Sequence, residues 1–134
     1  MNVREIAIGQ TFALGGPERL DTARIRAFAA AGGDESPAHF SDAEARAVGF
    51  PRALAHGMLG MAMLGRLITD HFPQSRMRAF GARFVAMTFH DDVLTCTATV
   101  ESIDATAKVA HLALLAVKQT GQVVLTGTAT VSIE

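Results

Sequence analysis

Tryptophan and tyrosine are absent from the chain, and cysteine occurs once. A single cysteine cannot close an internal disulfide, which excludes the small disulfide-stapled scaffolds and points to a reducing compartment. Phenylalanine is then the only large aromatic left for the core. A formal charge of −1 offers no basic surface, so no nucleic-acid partner is expected. Long apolar runs are missing as well. The richest, Met58 to Leu64, is too short to cross a bilayer and gives way to Arg66, so no membrane association is expected. No basic start with an apolar stretch behind it is present, so no signal peptide is expected and the expected location is cytoplasmic. With 49% apolar and 19% charged residues the composition argues against disorder. The length of 134 residues suits one domain, residues 1–134, with no repeat, low-complexity tract or linker.

What is present is punctuation and periodicity. Gln10 to Arg19 reads as a strand interrupted by Gly15-Gly16-Pro17. Asp21 is a favourable N-cap for a helix over Thr22–Ala31, with Ile25, Phe28 and Ala29 on one face and Gly32-Gly33 as its stop. Ser41 and Glu44 predict a capping box for a short second helix, which Gly49 and Pro51 close. A third helix begins at His56 or Gly57 and runs to about His71, before Pro73. Met58, Leu59, Met61, Met63, Leu64, Leu67 and Ile68 cover nearly every face of its first turns, which predicts a helix buried all round.

Four strands follow, over Arg76–Met87, Val93–Ile103, Lys108–Lys118 and Val123–Ile133. In the second, Leu94, Cys96, Ala98 and Val100 alternate with polar residues; in the fourth, Val123, Leu125, Ala129, Val131 and Ile133 are expected on one face. The third is apolar on both faces. Short turns at Asp91-Asp92, Asp104–Thr106 and Thr120-Gly121 predict an antiparallel meander. The fold class is therefore α+β, with an antiparallel sheet wrapped around a long central apolar helix. A lone curled sheet leaves an exposed edge and a second apolar face, and such surfaces are usually covered, which predicts a homodimer.

Two stretches carry chemistry. In Gly33-Asp34-Glu35-Ser36-Pro37-Ala38-His39, a carboxylate and an imidazole lie five residues apart in a segment that Pro37 keeps from being helical throughout. Asp34 and His39 can then converge on one water from the two arms of a bent loop. Taken alone, Asp34 reads more readily as a turn or cap residue, and His39 as a surface or packed histidine. The second stretch, Ala55-His56-Gly57-Met58-Leu59, opens the long helix, whose free N–H groups favour negative charge. Gly57 permits close approach of a ligand to the backbone, and its N–H is the candidate donor to an oxyanion. Ser36 reads either as polar support for the pair or as a simple turn former, while His56 reads as a helix-start or packing residue. His71, His90, His111 and Cys96 have no ligand-like spacing, so no metal is expected.

These two stretches resemble the signature of the MaoC-like hydratase/dehydratase family, roughly G-D-x-N-P-[LIV]-H followed by A-H-G. The family includes the (R)-specific enoyl-CoA hydratases. Arg83-Phe84 and the turn ending in Asp92 are similar to its basic-aromatic strand and Gly-Asp hairpin. Ser36 stands where most members have Asn, Ala38 where they have a branched aliphatic, Met87 where Pro is usual, and Asp91 in place of the hairpin Gly. Ala62 and Gly65 replace Ser of some members. The resemblance implies a single hotdog domain and reversible hydration of a trans-2-enoyl-CoA to an (R)-3-hydroxyacyl-CoA. It implies Asp34 and His39 as the catalytic pair, Ser36 and Gly57 at the substrate, and no cofactor beyond the coenzyme A of the substrate. Two other functions suit the same fold: acyl-thioester hydrolysis, and non-catalytic binding of an acyl thioester as a subunit of a larger dehydratase.

Overall fold

The computed structural model describes residues 6–134. Its elements in chain order are β1 (Thr11–Ala13), β2 (Glu18–Arg19), α1 (Thr22–Gly32), α2 (Asp42–Ala47), α3 (Gly57–His71), β3 (Met77–Phe84), β4 (Val93–Asp104), β5 (Val109–Lys118) and β6 (Val123–Ser132). All strands join one six-stranded sheet in the order β1-β4-β5-β6-β3, with β2 also pairing β4, and every pairing is antiparallel. The sheet curls over α3, the hotdog arrangement expected from the sequence.

The helix signals act where they stand. Asp21 Oδ1 accepts the Arg24 N–H at 2.8 Å, and Gly33 ends α1 in the left-handed region at φ 75°. Ser41 Oγ accepts the Glu44 N–H at 3.2 Å. The capping box is nevertheless only half formed, because the Ser41 N–H donates to the Pro37 carbonyl of the preceding 3-10 turn. Glu18 binds Arg24 and Arg66 together, fastening β2 to α1 and α3; both guanidiniums hold its carboxyl below the usual range. Asp91, in the position of the hairpin glycine, takes a left-handed φ of 67°, a conformation Asp tolerates better than most side chains.

α3 departs from the expectation of burial all round. Leu59, Gly60, Met63, Leu64, Leu67 and Ile68 are buried, but Met58 is 55% exposed and Ala62 is also exposed. A single curled sheet covers one side of a helical cylinder and leaves the other open. Gly60 lets the helix approach closely: a Cβ there would lie 2.6 Å from Leu125 Cδ1.

Two strands also differ from expectation. β3 stops at Phe84 rather than Met87, after which the Val85 and Ala86 N–H groups both donate to the Val124 carbonyl. Val124 is the extra residue of a bulge, since Ala116 pairs Leu125 and Val117 pairs Val123. The bulge brings Val124 and Leu125 both into the core and leaves Val123 only half-buried. On β5 the inner face, Ala110, Leu112, Leu114 and Ala116, is buried, while the outer face carries His111, Ala113 and Leu115.

Candidate active site

The loop after α1 builds the site. Gly33 turns the chain out of the helix, and the Asp34 N–H donates to the Ala29 carbonyl at 3.1 Å. The Asp34 side chain folds back so that Oδ1 accepts the Ser36 N–H at 3.4 Å. Pro37 opens a single 3-10 turn ending at His39, which swings the imidazole over the carboxylate. His39 Nε2 lies 3.3 Å from Asp34 Oδ2, with the His39 side chain 14% and the Asp34 side chain 59% exposed.

The tautomer of His39 follows from its second contact. Nδ1 lies 2.9 Å from the Leu54 carbonyl, and a carbonyl only accepts, so Nδ1 carries the proton and Nε2 is the nitrogen turned to Asp34. Leu54 is itself held by its N–H on the Ala38 carbonyl and by a β-bridge to Phe89. The Ser36 N–H keeps the Asp34 carboxyl below its usual range; partial desolvation opposes this, and the His39 and His56 rings add to it. Asp34 is thus held as a carboxylate at hydrogen-bond distance from His39 Nε2.

Sequence reasoning placed His56 outside this pair. It is 4% exposed, its ring stacks on His39 with centroids 3.7 Å apart, and its Nε2 lies 2.9 Å from the Asp34 carbonyl. The A-H-G step was the available signal, but no local spacing connects residue 56 to residue 34. Ser36 reaches Asp34 through its backbone N–H rather than its hydroxyl.

Gly57 begins α3 directly after His56, and a Cβ on it would sit 3.1 Å from the Phe84 ring. His39 and Gly57 together line two clefts. One, about 380 Å³, runs between Phe50, Leu54, Phe84 and Ala86; the other, about 330 Å³, holds Asp34, His56, Phe28 and Met58. The two clefts share His39 and Gly57; the first is walled mostly by apolar side chains and the second holds the carboxylate–imidazole pair. A larger groove of about 680 Å³ lies on the outer face of the sheet among Thr97, Thr99, Thr126 and Thr128, away from the pair.

One ligand atom each from Asp34, His39 and His56 falls within 4.8 Å of the others, a spacing that also suits a metal. The Nε2–H of His56 is however donated to the Asp34 carbonyl. That leaves His39 Nε2 and the carboxylate, fewer than the three or four protein ligands of catalytic and structural zinc sites. The remaining histidines are dispersed: His71 bonds the Ala13 carbonyl, His90 the His39 carbonyl, and His111 the Thr130 hydroxyl. Cys96 is buried, and burial pushes its thiol up to about 11, so it is no nucleophile at neutral pH. The Lys118 side chain, at the end of β5, pairs with Asp92 at 3.1 Å.

The sheet curled over α3 defines a hotdog fold, with a carboxylate–imidazole pair beside the helix start. The MaoC like domain family model matches residues 4–121, and the chain belongs to the MaoC-like hydratase/dehydratase family. Its structure is similar to that of the (R)-hydratase from A. caviae involved in PHA biosynthesis: 26% identity, a TM-score of 0.87, and coverage of 98% of this chain and 99% of that one. The mitochondrial 3-hydroxyacyl-[acyl-carrier-protein] dehydratase of Arabidopsis thaliana is 39% identical over 66 residues, 49% of this chain and 36% of the relative. The 3-hydroxyacyl-thioester dehydratase X of Mycobacterium tuberculosis is 40% identical over 57 residues, 42% of this chain and 20% of the relative. The chain therefore spans well under half the length of these curated relatives. Among the described residues, no helix is long and apolar enough to cross a membrane.

Proposed function

We propose that the protein catalyses the reversible addition of water across the C2–C3 double bond of a trans-2-enoyl-CoA, giving an (R)-3-hydroxyacyl-CoA. The observation that carries this reading is the orientation of His39. With Nδ1–H given to the Leu54 carbonyl, Nε2 faces Asp34 Oδ2 at 3.3 Å. Asp34 and His39 hold one water between them. As the water oxygen attacks C3, the pair takes up one of its protons, and a proton is delivered to C2. General acid–base help of this kind is worth about 10²–10⁴-fold.

Negative charge moves to the thioester oxygen as the bond forms. The Gly57 N–H at the start of α3 stabilises it, and such a donor is worth roughly 2.7–4 kcal/mol. Ser36 contributes through its N–H, which keeps Asp34 ionised and oriented. The scheme needs no cofactor beyond the coenzyme A of the substrate and no metal. The expected location is the cytoplasm, although one curated relative is by its name mitochondrial.

The site is completed by a second copy of the chain in this reading. β3 is an edge strand, and Met58, Phe84, Val85 and Met87 beside the clefts are 46–55% exposed. Pairing along that edge would cover them. A native mass of two chains is the expected result, and a mass of one chain contradicts the homodimer.

The direct test is the ultraviolet absorbance of crotonyl-CoA and of a longer enoyl-CoA mixed with the purified protein, together with a thiol assay. Hydration removes the conjugated absorbance without releasing thiol. Release of thiol favours hydrolysis, and an unchanged spectrum with both substrates rejects the hydratase reading for CoA esters.

A further inference from the structure

His56 is held at the site by contacts to both members of the pair. Its ring stacks on His39 at 3.7 Å with 18° between the planes. Its Nε2 lies 2.9 Å from the Asp34 carbonyl and 3.9 Å from Asp34 Oδ2. Phe28 packs against the same ring at 5.2 Å. Its Nδ1 is buried and has no hydrogen-bond partner among the described residues. A ring present for packing alone would be better as phenylalanine, which leaves no buried lone pair. The nitrogen that does have a partner is Nε2. Because a carbonyl accepts only, Nε2 carries the proton and Nδ1 is bare.

We propose that His56 is a positioning residue for the Asp34–His39 pair. Its Nε2–H fixes the Asp34 backbone, and so the place from which the carboxylate reaches Nε2 of His39. Its face limits rotation of the His39 ring, which is held at its other end by the Leu54 carbonyl. His56 touches no reacting atom in this scheme. A displacement of about 1 Å in such a pair can cost about 10²-fold in rate. The proposal rests on the hydratase reading for its activity readout, but its hydrogen-bond assignment can be measured without any substrate.

His56→Phe keeps the ring and its stack and removes both nitrogens. Its kcat for crotonyl-CoA hydration should fall about 10–100-fold, with KM changed by less than about threefold and a melting temperature equal to or above that of the natural protein. His56→Gln places an amide N–H near the position of Nε2 and removes the stack. It should regain part of the lost kcat while melting lower. A purely structural His56 gives the reverse order, with the Phe variant fully active and the Gln variant impaired in step with its stability; that result overturns the proposal. Long-range ¹⁵N–¹H spectra of the imidazoles in the natural protein give a second reading. They should show His56 protonated at Nε2 and bare at Nδ1, and a proton on Nδ1 overturns the proposal even if His56→Phe does not fold. A natural protein that hydrates no enoyl thioester defeats the hydratase reading alone, and a proton on Nδ1 would then still overturn the hydrogen-bond assignment on which the proposal stands.

Discussion

Asp34→Asn should slow crotonyl-CoA hydration by about 10²–10⁴-fold while the protein remains folded. The Asp34 side chain is 59% exposed, and an asparagine keeps the Oδ1 acceptor that holds the Ser36 N–H. What it loses is the carboxylate facing His39 Nε2. His39→Ala should lose activity to a similar extent, with a greater effect on stability. It removes the hydrogen bond to the Leu54 carbonyl and the ring stacked on His56, at a cost of roughly 1–3 kcal/mol. In the proposed reaction the two residues act on one water, so their losses should not multiply, and the double variant should be little worse than the poorer single one. Enoyl absorbance measures the rate, and circular dichroism melts measure the fold. A folded Asp34→Asn with near-natural kcat would remove Asp34 from the mechanism.

The second large effect is on stability. Lys118→Met should destabilise the protein by about 3–5 kcal/mol, because it leaves the Asp92 carboxylate buried without its counter-ion. The side chains of Lys118 and Asp92 are only 9% and 3% exposed. Asp92 also accepts from the Gln119 amide at 3.0 Å and from the Phe89 N–H at 2.8 Å, and the Lys118 ammonium lies 5.0 Å from the centre of the Phe89 ring. The loss is large against a typical total of about 5–15 kcal/mol and is readable as a shift in urea midpoint. Asp92→Asn in the same background should recover part of it, since a neutral amide costs less to bury than an unpaired charge. An unchanged midpoint in Lys118→Met would show that Gln119 and Phe89 suffice to hold the carboxylate.

The pH dependence of this contribution has a definite sign. Burial alone raises the Asp92 carboxyl, but the Gln119, Phe89 and Lys118 contacts outweigh it and hold the group below its ordinary value. The folded state therefore binds the proton less tightly than the unfolded chain. The contribution is fully present above the unfolded value of about 3.9 and is lost as pH falls through the lower folded value. The urea midpoints of the natural protein and Asp92→Asn should converge below about pH 4 for this reason. The pair also reaches the site: Asp92 fixes Phe89, Phe89 bridges Leu54, and the Leu54 carbonyl holds His39.

Much of this was legible in the order of residues. Asp21, Gly33 and Ser41 set helix ends through contacts within a few residues of themselves, and alternation along Val93–Ile103 set the inner face of β4. Asp34, Pro37 and His39 lie within one turn-forming loop, so their convergence is a local consequence of a proline and a glycine. Tertiary structure decided the rest. His56 meets Asp34 across 22 residues and His39 finds Leu54 across 15, distances over which no local backbone preference acts. The open side of α3 depends on how far the sheet curls, and the bulge at Val124 depends on pairing with β5. Lys118, a basic residue at a strand end, reads as solvated surface until the turn carrying Asp92 folds against it. The sequence by itself determined the elements and the acid–base loop, because these rest on φ/ψ preferences and neighbouring hydrogen bonds. The partners of that loop were decided only when the packed sheet and α3 brought distant backbone carbonyls and buried side chains within reach.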